Sequence, residues 1–480
     1  MSPALDDLRR AELGVKPPGL PFTPLLYHRA SKARPLPTLS LRSSDSFRPG
    51  WRVDTYIAPG AFPRMQRNGT RPRGTPSPVA HRPAEGDRLD YEELLLDVLG
   101  EQVRTVSQPV VDVDDTAVKE QEQLYLAVNR YVPLAPPSTN RKKGGKGLTL
   151  VLCHGTGLHK ETWEPVLQRM LDELEEEGHV WVEEIWALDA ANQADSAVIN
   201  EEVMGKGSNW SDLARDLLNF LLCYIDSPTL SSPSVSVAPP ILDPSVADPK
   251  ELLLNSRHAL PAGLPLPSQR TFRNRTIVGI GHSSGASTLG LAAMAFPSIF
   301  SSLILLDPWI LPRYHDGSST DSPFFRSVAL RRDSWNSREE AVESLTTKGF
   351  FQIWDKRITE LFMQYGLRQL KDGRVALKTP AKTEMLMYAN PYGWQGAYLF
   401  HQLQANPSLP VQIMLPSRGQ SIVPETHLSA VIEGLPSVTF ERVKRSSHLL
   451  PQMDPDRMGG ILEGRLRDIY GRKAVVVEKL

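Results

Sequence analysis

The chain has 480 residues, 40% of them hydrophobic, with 54 Lys and Arg against 55 Asp and Glu. It can bury a core of ordinary globular size, and no charge excess selects a nucleic-acid partner. Only two cysteines, Cys153 and Cys223, rule out a disulfide framework and suit a reducing compartment. No apolar run reaches the roughly 18 residues that span a bilayer, and the start, MSPALDDLRRAELG, lacks a signal-peptide core, so a protein neither membrane-spanning nor secreted is expected.

From about residue 16 to 85 the chain is rich in Pro, Arg and Ser with few periodic apolar positions, and residues 1–100 are expected to form a largely disordered extension. The core should occupy 101–312 and 405–480. It opens with two antiparallel strands, VRTVSQPVVDV and EQLYLAVNRYV (103 to 132). The basic RKKGGKG (141 to 147) reads as a solvated connection rather than a binding patch, and LTLVLC that follows as a strand buried on both faces. WEPVLQRMLDELEEEG is a helix with a glycine stop, VWVEEIWALD a strand and NWSDLARDLLNFLLCYI a helix. A Pro/Ser-rich stretch at about 227–270 looks like an inserted surface loop. TIVGIG, FSSLILLDP and VQIMLPS are further strands, with the helix ASTLGLAAMAF after the first of them. This alternation predicts an α/β fold: a mostly parallel sheet with helices on both faces, whose site lies at the carboxyl ends of the strands.

Gly281-His282-Ser283-Ser284-Gly285 joins a strand directly to a helix, as a nucleophile elbow does. The pentapeptide alone is weak evidence; its placement makes Ser283 the candidate nucleophile, against the plain reading of a serine helix cap. A serine needs a base, and His448 is the one histidine between the last strand and the last helix, in the chain order Ser, acid, His. For the oxyanion hole, HGTG (154 to 157) after its strand offers the N–H of Thr156, and the elbow offers that of Ser284; His154 would brace the loop. The acid has two candidates. In LPSRGQSIVPETH (415 to 427) Ser421 stands where aspartate is usual and Glu425 lies four residues on; Asp307, at the end of the preceding strand, can also reach the far imidazole nitrogen and is preferred. No cofactor or metal is expected.

HGTGLHKETWEP, DAANQADSAV, GSNWSDLARDL, GHSSG and SSHLLP together resemble the fungal peroxisomal lipases and the related hydrolases of fungal toxin-biosynthesis clusters, over roughly residues 103 to 475. The resemblance implies an α/β-hydrolase fold, a helical cap between strands 6 and 7 (313–404), an acid at the end of the sixth strand, and serine hydrolysis of acyl esters. The substrate would be a hydrophobic small-molecule or lipid ester. A thioesterase acting on acyl-CoA or an acyltransferase would use the same residues, and a non-catalytic scaffold is the alternative from another class. The cap segment carries a capping box, Ser337 to Glu340, and GFFQIWDKRITELFMQYGLRQL at helical spacing; its aromatics, with those of 390–400, suit either a hydrophobic pocket or the cap's own core. Glu478-Lys479-Leu480 approximates a C-terminal peroxisomal import signal with Glu478 replacing the small residue, so an import receptor is a possible partner and the expected compartment is the peroxisome or the cytoplasm.

Overall fold

The computed structural model describes residues 34–39, 46–78, 91–107, 116–135, 146–177, 179–207, 209–231, 239–243, 275–309, 323–390, 408–433 and 437–471, with residues 42, 81, 111 and 435 singly. Strand β1 (Trp51–Pro59), helix α1 (Tyr91–Ser107) and strands β2 (Tyr125–Pro133) and β3 (Lys146–Cys153) come first. Helix α2 (Glu164–Glu177), strand β4 (Val180–Leu188), helices α3 (Ala194–Asn200) and α4 (Trp210–Cys223), strand β5 (Ile277–His282), helix α5 (Ser284–Ala295) and strand β6 (Ser302–Leu306) follow.

The chain then enters a cap: α6 (Pro323–Ala329), β7 (Ser334–Trp335), α7 (Arg338–Thr346), α8 (Gly349–Gln352), α9 (Lys356–Tyr365), β8 (Leu367–Gln369), β9 (Val375–Leu377) and α10 (Ala381–Tyr388). It returns through β10 (Val411–Leu415), α11 (Glu425–Glu433), β11 (Thr439–Arg442), α12 (Leu450–Met453) and α13 (Pro455–Tyr470). Among the described residues eight strands make the main sheet, in the order β1-β2-β4-β3-β5-β6-β10-β11. β1 and β2 run antiparallel to their neighbours and the pairs from β4 to β11 are parallel.

The period of two along a strand divides the apolar runs between both faces. Leu148, Leu150 and Leu152 of β3 pack with α2 and α13, while Val151 and Cys153 face α4 and α5. The same division holds on β6, where Ile304 and Leu306 lie on one side and Leu303 and Leu305 on the other. Among the described residues no helix is long and apolar enough to cross a membrane.

Four expectations are corrected. The N-terminal stretch is not disordered throughout: β1 pairs with β2 from Trp51↔Pro133 to Pro59↔Tyr125, because Trp51, Val53, Tyr56, Ile57 and Ala58 have apolar surface to bury, which composition averaged over 70 residues conceals. The strand expected at 103–113 is in its first half the end of helix α1, whose Leu94, Leu95, Val98 and Leu99 recur at helical spacing and pack on Phe325, Val328, Met385 and Leu386 of the cap. The cap is not wholly helical, since β7, β9 and β8 form a three-stranded antiparallel sheet. The helical expectation at 349–370 breaks into α8, α9 and β8, with Asp355 accepting from Arg357 N at 2.9 Å as the N-cap of α9 and Gly366 closing it.

Within the stretch read as an inserted loop, Ile57 N donates to Pro240 O at 2.9 Å and Leu242 N to Ile57 O at 2.8 Å, so part of it docks on β1. Residues 232–238 and 244–270 of that stretch, the aromatics expected at 391–400 and the C-terminal tripeptide lie outside the described residues.

Candidate active site

Ser283 is the one-residue corner between β5 and α5, and its φ of 54° and ψ of −123° place a non-glycine residue in a sparsely populated region. The two motif glycines make the corner possible by close approach. A Cβ on Gly281 would lie 2.6 Å from the Ala286 Cα, and one on Gly285 would lie 2.3 Å from the Cys153 carbonyl oxygen, so α5 could not settle against β5 and β3. Ser283 N donates to Leu306 O at 2.9 Å, tying the corner to β6.

His448 reaches the corner from the loop after β11. Its Nε2 lies 3.1 Å from Ser283 Oγ, and its Nδ1 lies 2.6 Å from Asp307 Oδ2. Asp307, fully buried just beyond β6, has a φ of 40° and is held by its own N–H to Met414 O at 2.8 Å. Ser421 Oγ donates to Asp307 Oδ1 at 2.6 Å and Ile422 N to Oδ2 at 3.2 Å. The loop that usually supplies an aspartate thus supplies donors to one on the neighbouring strand. Glu425 is elsewhere: it accepts from Gly419 N at 2.9 Å and from Arg442 Nη2 at 2.6 Å. Its carboxyl titrates below the ordinary glutamate value, chiefly through the Gly419 N–H.

The HGTG loop lies across the other side of Ser283. A Cβ on Gly155 would meet that of Ser283 at 3.1 Å, so the loop's backbone runs directly beside the corner. Thr156 Oγ1 donates to Ser284 Oγ at 3.0 Å, linking the two residues expected to offer oxyanion donors. Ser284 is the first residue of α5, where backbone N–H groups have no intrahelical acceptor. Gly157 N donates to Gln193 Oε1 at 2.9 Å, and Ala194 N to Thr379 Oγ1 of the cap at 2.8 Å. His154 Nδ1 sits 2.8 Å from Gly155 O, and its Nε2 3.4 Å from Asp189 Oδ1.

Below this loop, HKE and DAANQADS form a buried ionic cluster that the sequence reading did not assign. Lys160 Nζ lies 3.0 Å from Glu161 Oε1, 2.8 Å from Asp189 Oδ2 and 2.7 Å from Asp195 Oδ2, and Lys378 of the cap lies 2.6 Å from Asp195 Oδ1. Burial alone would lower the Lys160 ammonium, but the three carboxylates hold it well above the ordinary lysine range. The only available signal is a lysine among acids flanking a glycine loop.

The cap reaches the site through Phe324, whose ring meets that of His448 edge-on at 5.7 Å. Phe351, Trp354 and Phe362 instead pack on one another and on Leu158 and Leu449, so they are cap core and carry no substrate argument. A cavity of about 40 Å³ lies behind Ser284, lined by Leu126, Leu188, Leu213 and Leu217 together with His154, Asp189 and Asp216, with room for more than one water.

The arrangement of a strained serine, a histidine within proton-transfer reach and a buried carboxylate on its far nitrogen can perform nucleophilic acyl transfer. The model of the alpha/beta hydrolase family matches residues 150–459. The Type I acyl-CoA thioesterase mpaH of Penicillium brevicompactum is 28% identical over 53% of this chain and 47% of its own. Peroxisomal membrane protein LPX1 of Saccharomyces cerevisiae is 26% identical over 52% of this chain and 58% of its own. The chain spans about half the length of the curated relatives it matches. In the solved peroxisomal alpha-beta-hydrolase Lpx1 of S. cerevisiae the fold recurs, with a TM-score of 0.59 at 18% identity over 90% of this chain and 93% of that one.

Proposed function

Because the chain belongs to the alpha/beta hydrolase family, we propose that it is a serine hydrolase cleaving carboxylic esters of a hydrophobic acyl substrate through an acyl-enzyme. The observation that carries this reading is the relay from Ser283 Oγ to His448 Nε2 at 3.1 Å and from His448 Nδ1 to Asp307 Oδ2 at 2.6 Å. Both distances fall in the range for proton transfer and tautomer control. Asp307 accepts from Nδ1–H, which leaves the Nε2 lone pair facing Ser283. As Oγ bonds to the substrate carbonyl carbon, its proton passes to Nε2, and the N–H groups of Thr156 and Ser284 receive the oxyanion. Collapse of the intermediate breaks the ester bond, and the leaving alkoxide takes the proton from His448. A water deprotonated by the same nitrogen then frees Ser283 and releases the acid. Labelling with a fluorophosphonate tests this: the wild type should react, Ser283→Ala should not, and His448→Ala should lose kcat on a nitrophenyl ester by about 10⁴-fold or more. Labelling of Ser283→Ala at the wild-type rate would remove Ser283 as nucleophile.

A second reading, hydrolysis of an acyl-CoA thioester, uses the same residues. It is supported by the activity in the name of the Penicillium relatives. It is also supported by Arg418, Lys444 and Arg445, which are exposed, make no salt bridge among the described residues, and sit on the loops after β10 and β11 that Ser446 N joins to Ser417 Oγ at 3.1 Å. Cations beside the His448 loop suit the phosphates of a nucleotide handle. The same acyl group should be offered on CoA and on uncharged N-acetylcysteamine. A kcat/KM preference for CoA that weakens with salt favours the acyl-CoA reading, and equal values remove the nucleotide handle from recognition. The compartment in the name of the yeast relative supports reading Glu478-Lys479-Leu480 as an import address.

A further inference from the structure

The residue before the nucleophile makes a contact that the relay does not use. His282 ends β5, is 1% exposed, and lies with its Nε2 2.8 Å from the carbonyl oxygen of His448. Since a carbonyl can only accept, Nε2 carries the proton and donates. Its other nitrogen, Nδ1, is buried without a hydrogen-bond partner, and a Cβ on Gly155 would lie 3.1 Å from it, so the oxyanion loop packs on that edge of the ring. The imidazole faces of His282 and His448 lie 4.9 Å apart at 34°. One ring therefore touches the corner strand, the oxyanion loop and the main chain of the base.

We infer that His282 is a positioning residue that clamps the main chain of His448 to the strand carrying Ser283, and so fixes the distance over which the proton moves. This rests on the serine-hydrolase reading of the site. Other ties of the His448 loop run to different places, among them Ser446 N to Ser417 Oγ at 3.1 Å beyond β10, Ser446 Oγ to Val443 O at 2.7 Å within the loop, Ser447 Oγ to Met453 Sδ at 2.9 Å on α12 and Arg457 Nη1 of α13 to Lys444 O at 2.6 Å. Among these described side-chain bonds, that of His282 alone joins the backbone of His448 to β5. The Ser283–His448 distance of 3.1 Å stands near the outer limit for proton transfer, so a small drift of the loop would break the relay. Burial first, and the neighbouring His448 second, depress the His282 imidazole to about 3, so it stays neutral beside the imidazolium that forms during attack. A charged neighbour at this spacing would oppose that proton.

Glutamine can place an amide N–H near the position of Nε2, whereas leucine fills space without donating. His282→Leu should lower kcat on a short nitrophenyl ester at least tenfold with KM within twofold, and His282→Gln should recover kcat to within threefold of wild type. The low-field proton resonance of the Asp307–His448 hydrogen bond should persist in wild type and His282→Gln and be lost or displaced in His282→Leu. If the leucine variant does not fold, His282→Asn, polar but too short to reach the carbonyl, takes its place with the same expected loss. A leucine or asparagine variant with kcat within twofold of wild type, or a glutamine variant as impaired as either, overturns the clamp. Absence of fluorophosphonate labelling in the wild type would count against the hydrolase reading, while the resonance still reads the clamp.

Discussion

Ser421 occupies the loop position where an aspartate is usual, yet its hydroxyl serves the carboxylate of Asp307 at 2.6 Å. A hydrogen bond to a charged acceptor contributes about 1.5–3 kcal/mol, so Ser421→Ala should lower kcat roughly tenfold or somewhat more, with the Ile422 N–H still in place. Asp307→Asn should cost about 10³–10⁴-fold in kcat by presenting the wrong partner to Nδ1. Glu425→Gln, with its carboxylate committed to Gly419 N and Arg442, should stay within threefold. Steady-state rates on a short nitrophenyl ester compare the three, and a loss confined to the Glu425 change would reassign the acid. Ser283 and His448 were legible because a local motif and chain order mark them. The carboxylate that meets His448 was less so, because sequence spacing does not say which loop end crosses to the imidazole; that depends on the pairing of β6 with β10. His282 was illegible for the same reason, since its partner is a backbone carbonyl 166 residues away.

Helix α1 and strand β1 mark where local pattern misleads at the level of elements. VRTVS has β-branched residues that suggest a strand, but the preceding YEELLLDVL sets a helical period that carries through to Ser107. The true partner of β2 is β1, more than 60 residues upstream in a stretch dominated by prolines. The parallel strands were readable because both faces are apolar and each is followed by a helix or a loop of the site. The packing of α1 on α6 and α10 has an energetic consequence. Leu99 is fully buried in that cluster, so Leu99→Ala should destabilise by about 2–5 kcal/mol. Urea unfolding measures this, and a change below 0.5 kcal/mol would mean the contact is not maintained in solution.

Across the whole molecule, the charged residues of NWSDLARD bind the N-terminal segment to the core. Arg64 Nη1 lies 2.6 Å from Asp216 Oδ1, Arg215 Nη1 donates to Pro63 O at 2.7 Å, and Ala61 N donates to Asp216 Oδ1 at 2.7 Å, all buried. Removing one partner of a buried ion pair costs about 3–5 kcal/mol. A deletion of residues 1–66 removes Arg64 together with β1, bares the edge of β2, and should yield aggregated or expanded protein by size exclusion and near-ultraviolet circular dichroism. A well-folded monomer from that deletion would show the segment to be dispensable.

The cap has a further consequence. The chain leaves the main sheet at Asp307 and re-enters at Val411 on the adjacent strand, with Asp307 N bonded to Met414 O at 2.8 Å across the seam. The whole excursion is therefore an insert whose two ends meet, the arrangement that tolerates replacement of one module by another. Exchange with a foreign cap should alter which acyl groups are admitted while Ser283, Asp307 and His448 keep their scaffold. Such a transplant must keep a surface that fits α1 and a counterpart of Lys378, because both are among the contacts that moor this cap to the rest of the chain.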